Sequence, residues 1–224
     1  MLNFRVARVL ANKKFYQTGI KIQVGRFVPI YWNPKGALSD PYVLKIVAEE
    51  FAKVIKKIKP RIEVIAGGAT GGISLAAATA LEAHLPWVYI RAQPKGYSTN
   101  VLVEGSYKKG DRAILLDDVI ATGAGKEIFI KNAEGQLKIK HIAVVLDDTG
   151  GNYPAWLKDK KIKLIPMFTK KERDHFFRKI GFFSQAALDL ESAYEKNRDG
   201  WQKDKATWQK FLELKRKYKK TGKF

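Results

Sequence analysis

Apolar residues recur with two different periods along this chain, and the changes between them mark out its elements. Residues 1–38 mix aromatics with a short alternation at Ile20, Ile22 and Val24 and close on the turn signal Asn33-Pro34-Lys35-Gly36, which predicts a small β-rich cap. Val43, Leu44, Ile46, Val47, Phe51, Val54, Ile55 and Ile58 then repeat at helical spacing, with Lys53, Lys56 and Lys57 on the opposite face. Ser39-Asp40-Pro41 supplies the start of that helix, a capping side chain followed by a proline in the first turn, and Lys59-Pro60 ends it. Beyond it, apolar runs too short for helices, at 62–66, 87–90, 113–116, 141–146 and 162–168, read as buried strands. Helical stretches at 74–83 and 126–133 fall between them, and Gly135 is a C-cap for the second. This alternation predicts an α/β fold with a mainly parallel sheet flanked by helices and ligands at the carboxyl ends of the strands.

Three segments follow: a hood at 1–40, a core at 41–170 and a basic helical extension at 171–224. The 224 residues suffice for one large α/β domain with appendages, and 46% hydrophobic with 29% charged residues is a globular composition. The absence of cysteine excludes disulfides, thiolate metal sites and cysteine nucleophiles, and fits a reducing cytoplasm. Arg5 and Arg8 interrupt the apolar residues of the N-terminus, so no secretory core is expected there. Residues 64–81 carry no charge over 18 positions, yet Gly67, Gly68, Gly71 and Gly72 break that run into a strand, a turn and a helix, which argues against a membrane span. The net charge of +20 favours an anionic ligand, either a polyphosphate substrate or nucleic acid.

The chemistry centres on residues 112–126. An apolar strand ends in the paired carboxylates Asp117 and Asp118; a small-residue turn, Ala121-Thr122-Gly123-Ala124-Gly125, opens the next helix. Carboxylates accept hydrogen bonds from sugar hydroxyls, and the free N–H groups of a glycine-rich helix start cradle a phosphate. The stretch predicts a site that grips both ends of a sugar phosphate. His141 and His175 have no ligand spacing and read as structural, and no Ser-His-acid arrangement stands out.

The same stretch resembles the phosphoribosyl-pyrophosphate signature of the type I phosphoribosyltransferases. The flanks narrow the resemblance to the orotate branch over about residues 18–170: residues 25–33 (Gly-Arg-Phe-Val-Pro-Ile-Tyr-Trp-Asn), residues 67–73 (Gly-Gly-Ala-Thr-Gly-Gly-Ile), Tyr89-Ile90-Arg91 with Lys95, and Glu104-Gly105. It implies that Asp117 and Asp118 hold the ribose hydroxyls and that 121–125 hold the 5′-phosphate. It further implies that Gly68, Ala69, Thr70, Gly71 and Gly72 with Arg91 address the pyrophosphate. Arg91 and Lys95 are then catalytic cations of a lid over residues 91–100, and Gln23, Tyr31, Trp32 and Asp148 face the base. Magnesium would arrive with the substrate, no metal being held directly by the protein, and a homodimer is implied.

Plainer roles stay open for the same residues: the glycines as steric turns, Tyr31 and Trp32 as hood packing, the lid as a solvated loop. Five positions depart from the family pattern. Asp148 stands where a base-binding Arg is usual, Gln23 replaces a Lys, Ala121 a Thr, Ala92 a basic residue and Tyr97 a His. A carboxylate in place of a guanidinium favours a base offering amino donors over orotate. Residues 200–224 carry nine Lys or Arg with Trp201, Trp208, Phe211, Leu212 and Tyr218 as a stripe, either a docked helix or an RNA-binding arm. The expected function is phosphoribosyl transfer to a nucleobase. The alternative is a regulator on the same fold that senses phosphoribosyl pyrophosphate or nucleotide and binds RNA.

Overall fold

The computed structural model describes residues 3–21, 27–94 and 101–221. In chain order they form α1 (Phe4–Leu10), β1 (Tyr16–Lys21), β2 (Phe27–Trp32), α2 (Pro34–Leu38), α3 (Pro41–Lys56), β3 (Val64–Gly68), α4 (Gly71–Ala83), β4 (Trp87–Ile90) and β5 (Val103–Gly105). Then come β6 (Arg112–Ile120), α5 (Ala124–Ala133), β7 (Lys138–Asp147), α6 (Ala155–Asp159), β8 (Lys163–Thr169), α7 (Lys170–Lys179), α8 (Gln185–Lys196) and α9 (Lys205–Thr221). Two compact units emerge: Met1–Val9 with Ala37–Glu172, and Leu10–Gly36 with Arg173–Phe224. The cap residues 10–36 thus share a unit with the C-terminal helices.

The first unit is a six-stranded sheet in the order β5-β4-β3-β6-β7-β8, parallel throughout except for β5 at its edge. Every position of β3 is buried, as a strand covered on both faces requires. After β3 the chain steps to β4 and β5 on one side, then returns with β6 on the other, so β3 and β6 flank the point where the winding reverses. Two adjacent glycines show that both faces are covered. A Cβ on Gly67 would lie 2.9 Å from the Ala76 Cβ of α4, and one on Gly68 would collide with the Phe129 ring of α5. Successive strand residues point to opposite faces, which puts α4 and α5 on opposite sides of the sheet.

Helix α3 begins where the sequence places it: Asp40 Oδ1 accepts from the N–H groups of Tyr42 (3.1 Å) and Val43 (3.2 Å), with Pro41 at the first position. Its buried stripe includes Val43, Ile46, Val47, Phe51 and Ile55. The uncharged stretch 64–81 is divided between β3 and α4, and no helix among the described residues is long and apolar enough to cross a membrane. Residues 4–10 differ from the expected β-rich cap by being helical. Asn3 Oδ1 caps the Val6 N–H (3.1 Å), and Arg5 ties the helix to Glu49 (2.6 Å) and Glu50 (3.0 Å) of α3.

In the second unit β1 and β2 pair as an antiparallel hairpin with Tyr16 opposite Trp32. Tyr16 packs edge-on against Phe177, Phe182 and Phe183. Part of the C-terminal aromatic stripe is core: Trp201 packs on Trp208 and Phe211, and its indole N–H donates to the Phe27 carbonyl (3.1 Å). Trp201 and Phe211 are buried, so those two rings are not open platforms for nucleic-acid bases.

Candidate active site

The acids sit inside a strand rather than at its end. β6 continues through Ile120, but its pairing with β3 stops at Leu116 opposite Gly67, while its pairing with β7 runs on to Asp147. Asp117 and Asp118 therefore lie where one neighbouring strand has ended and the other has not. The crevice begins where β3 gives out, and the acids face the start of α4: a Cβ on Gly71 would lie 2.9 Å from Asp118 Oδ2 and 3.3 Å from Asp117 Oδ1.

The two carboxylates are held differently. Asp117 is buried; its Oδ1 accepts from the Asp118 N–H (2.9 Å), and its Oδ2 lies 2.7 Å from Lys126 Nζ. Asp118 Oδ1 accepts from the Val119 N–H (2.7 Å). Burial first, and the neighbouring Asp117 charge second, push the Asp118 carboxyl up to about 6, with Lys126 and the Val119 N–H pulling the other way. A carboxyl raised on folding favours the folded state while protonated, and that contribution is lost as pH climbs from about 4 through about 6. Asp118→Asn keeps the oxygen that accepts from Val119 and removes the ionisation. We expect it to melt several degrees above the parent at pH 8, to lose about half of that advantage at pH 5 and to lose most of it by about pH 4. Equal gaps across this range would refute this account.

Across the turn from the acids lies the uncapped start of α5. Gly123 takes φ +79°, and a Cβ there would lie 2.6 Å from Pro154 Cγ, so both conformation and space call for glycine. Helix α5 opens directly after it with no side-chain cap. The N–H groups of Ala124, Gly125 and Lys126 consequently have no intrahelical acceptor, and Ala121, Thr122, Ala124 and Gly125 are exposed around them.

The glycine segment 67–72 resolves into two kinds of residue. β3 takes Gly67 and Gly68 and α4 begins at Gly71, leaving Ala69-Thr70 as the connection. Gly68 and Gly72 serve close packing: the first lies under Phe129, and a Cβ on the second would collide with the Leu116 carbonyl. The steric role holds for both. Ala69, Thr70 and Gly71 remain accessible beside the acids.

Arg91 follows β4, 3.6 Å from Glu104 of β5. Asn132 Nδ2 on α5 donates to the carbonyls of Arg91 (2.7 Å) and Ala92 (3.2 Å), fixing the root of the expected lid. Lys95 and Tyr97 lie outside the described residues, as does Gln23. Tyr31 and Trp32 belong to β2 of the second unit, Trp32 buried and Tyr31 half-buried. Asp148 is half-buried after β7, and its N–H donates to the Ile120 carbonyl (2.8 Å), which brings it beside the end of the acid-bearing strand. Its neighbour Asp147 staples this loop, accepting from the Thr149 N–H (2.9 Å) and the Tyr153 hydroxyl (2.9 Å). The Tyr153 phenol is raised by that bond to a carboxylate.

Sequence reasoning assigns no role to Lys126, Asn132 or Asp147. The Asp-x-Thr spacing is a weak turn signal for the last. Among the described residues no three His, Asp or Glu side chains converge as a metal-ligand set.

No protein-family model matches the chain. It is 30% identical over 179 residues to an orotate phosphoribosyltransferase of Lactococcus lactis subsp. lactis strain IL1403, covering 78% of this chain and 84% of that protein. Among solved structures it resembles orotate phosphoribosyltransferase from Aeropyrum pernix (TM-score 0.62, 25% identity, 79% of this chain and 99% of that one). It also resembles UMP synthase from Leishmania donovani (TM-score 0.72, 25% identity, 84% of this chain), of whose longer chain it spans 41%.

Proposed function

The chain belongs to the orotate phosphoribosyltransferase family, and we propose that it transfers the ribosyl phosphate of phosphoribosyl pyrophosphate to a nucleobase, releasing pyrophosphate. What carries the reading is one juxtaposition: a carboxylate pair on β6, Asp117 buried and Asp118 half-buried, and the unsatisfied amides at the start of α5, joined by a turn of three residues. Acceptors at one end and donors at the other match the hydroxyls and the 5′-phosphate of one ribose phosphate.

In this reading Asp117 and Asp118 accept the ribose hydroxyls, and residues 121–125 hold the 5′-phosphate. Ala69, Thr70 and Gly71 with Arg91 address the pyrophosphate, and Lys95 supplies a further cation to the leaving group. Magnesium carried in with the substrate would lower the charge on the departing pyrophosphate. As the glycosidic carbon loses pyrophosphate it becomes cationic, the nearby carboxylates favour that charge, and a base nitrogen attacks the opposite face. No covalent enzyme intermediate is required. Asp148 is the proposed base contact of the first unit, and a homodimer is the proposed assembly.

The test is pyrophosphate release from phosphoribosyl pyrophosphate and magnesium with a panel of orotate, uracil and purine bases. Release with at least one base supports the reading. Release with none, alongside retained sugar-phosphate binding, points instead to a sensor. The panel also addresses the base. Asp148 repels a carboxylated base and accepts from an amino group, so a base with amino donors is expected to outperform orotate. Asp148→Arg should raise kcat/KM for orotate at least about tenfold, the worth of one charge-assisted contact. Unchanged or lower orotate turnover would remove Asp148 from the base pocket.

A further inference from the structure

Lys126 is placed against the local electrostatics. It occupies the third position of α5, where the helix dipole disfavours a cation and the exposed amides already present positive charge. Its side chain nevertheless runs inward, 13% exposed, to a 2.7 Å ion pair with Asp117, itself 7% exposed. Burying a lysine head costs desolvation and rotamer freedom, which an excellent partner must offset. The partner is one of two adjacent carboxylates, Asp117 buried and Asp118 half-buried, whose mutual repulsion would otherwise be relieved by protonating one of them.

We propose that Lys126 is a positioning residue for the acid pair: it fixes Asp117 in one orientation and cancels one of two neighbouring negative charges, so that both carboxyls stay available as acceptors for ribose hydroxyls. This rests on the functional reading above. The charged groups acting on Asp118 are Asp117 from its own strand and Lys126 from α5. The start of α4 brings Gly71, and β7 brings Val144 and Leu146, none of them charged. Lys126 is thus the cation that opposes burial and the Asp117 charge in setting how readily Asp118 gives up its proton. Remove it, and Asp118 holds a proton into the neutral range, turning an acceptor into a donor.

The experiment is calorimetric titration of the full chain with magnesium phosphoribosyl pyrophosphate between pH 5.5 and 8.5, for the parent, K126M and K126R. A thermal melt of each variant checks folding. The parent should lose affinity as pH falls through about 6. In K126M the loss should begin about one unit higher, leaving affinity about twofold weaker at pH 7 and close to tenfold weaker at about pH 5.5, and K126R should restore the parental profile. K126Q, similar in bulk and uncharged, makes the same test if K126M does not fold. A uniform loss of affinity with an unmoved pH profile would overturn the inference while leaving the functional reading intact. Failure of the parent to bind at any pH would overturn both.

Discussion

Asp117→Asn together with Asp118→Asn is expected to lower kcat/KM for phosphoribosyl pyrophosphate about a thousandfold or more in a chain that still folds. In the proposed reading each carboxylate offers a ribose hydroxyl a charged acceptor, and such bonds contribute about 1.5–3 kcal/mol apiece. An amide can still accept, but it brings no negative charge to the carbon that becomes cationic as pyrophosphate leaves. Two such losses come to about 4 kcal/mol, or about three decades in rate. Folding should survive because Asp118 is a cost to the folded state at neutral pH, so neutralising it compensates for the partner that Lys126 loses at Asp117. The measurement is initial-rate pyrophosphate release with a parallel melt. A double variant that folds and retains more than about a tenth of the parental kcat/KM would dissociate the acid pair from the reaction.

Local signals in the sequence are faithful wherever one element settles the outcome. Asp40-Pro41 starts α3, and the small residues before α5 mark its turn. The short apolar runs are β3, β4, β6, β7 and β8: β4 keeps its expected bounds, β3 and β8 lie slightly further along the chain, and β6 and β7 extend at both ends. The largest shift is instructive. The run 113–116 stops at the acids because an apolar run reports burial, whereas β6 continues to Ile120 because β7 still offers it hydrogen bonds. Which neighbour ends first is a property of the sheet, and no periodicity in one strand encodes it. The same limit hides the side chains that complete the site. Lys126 reads as a surface lysine until β6 brings Asp117 to it, and Asn132 reads as a helix residue until the carbonyls after β4 arrive. The aromatic residues of the C-terminal segment pose the opposite problem. Their helical spacing shows an apolar stripe but not its partner, which the structure supplies from Phe27 and from neighbouring rings of the stripe. The glycines in 67–72 are visible as a cluster, but their division is not. Gly68 and Gly72 answer to Phe129 and Leu116, which are distant in sequence.

That division leads to the second large effect. Gly72→Ala should destabilise the protein by about 3 kcal/mol, lowering the urea midpoint by about 1 M. The added Cβ would collide with the carbonyl oxygen of Leu116, which is backbone in the middle of the sheet and cannot rotate away. Relief requires α4 to lift from β6, which opens voids under Leu75 and Ala76, both fully buried. Gly71 immediately precedes the strained position and abuts both acids, so a variant that folds by lifting α4 also draws the Ala69–Gly71 segment away from Asp117 and Asp118. Weakened substrate affinity should accompany the loss of stability. Gly125→Ala is the matching control. It too is a glycine in the first turn of a helix beside the site, but a Cβ there meets nothing within 4 Å, so its urea midpoint should be unchanged or higher. If Gly72→Ala unfolds within about 0.3 M of the parent, the close approach of α4 to β6 does not set the height of the helix over the acid pair.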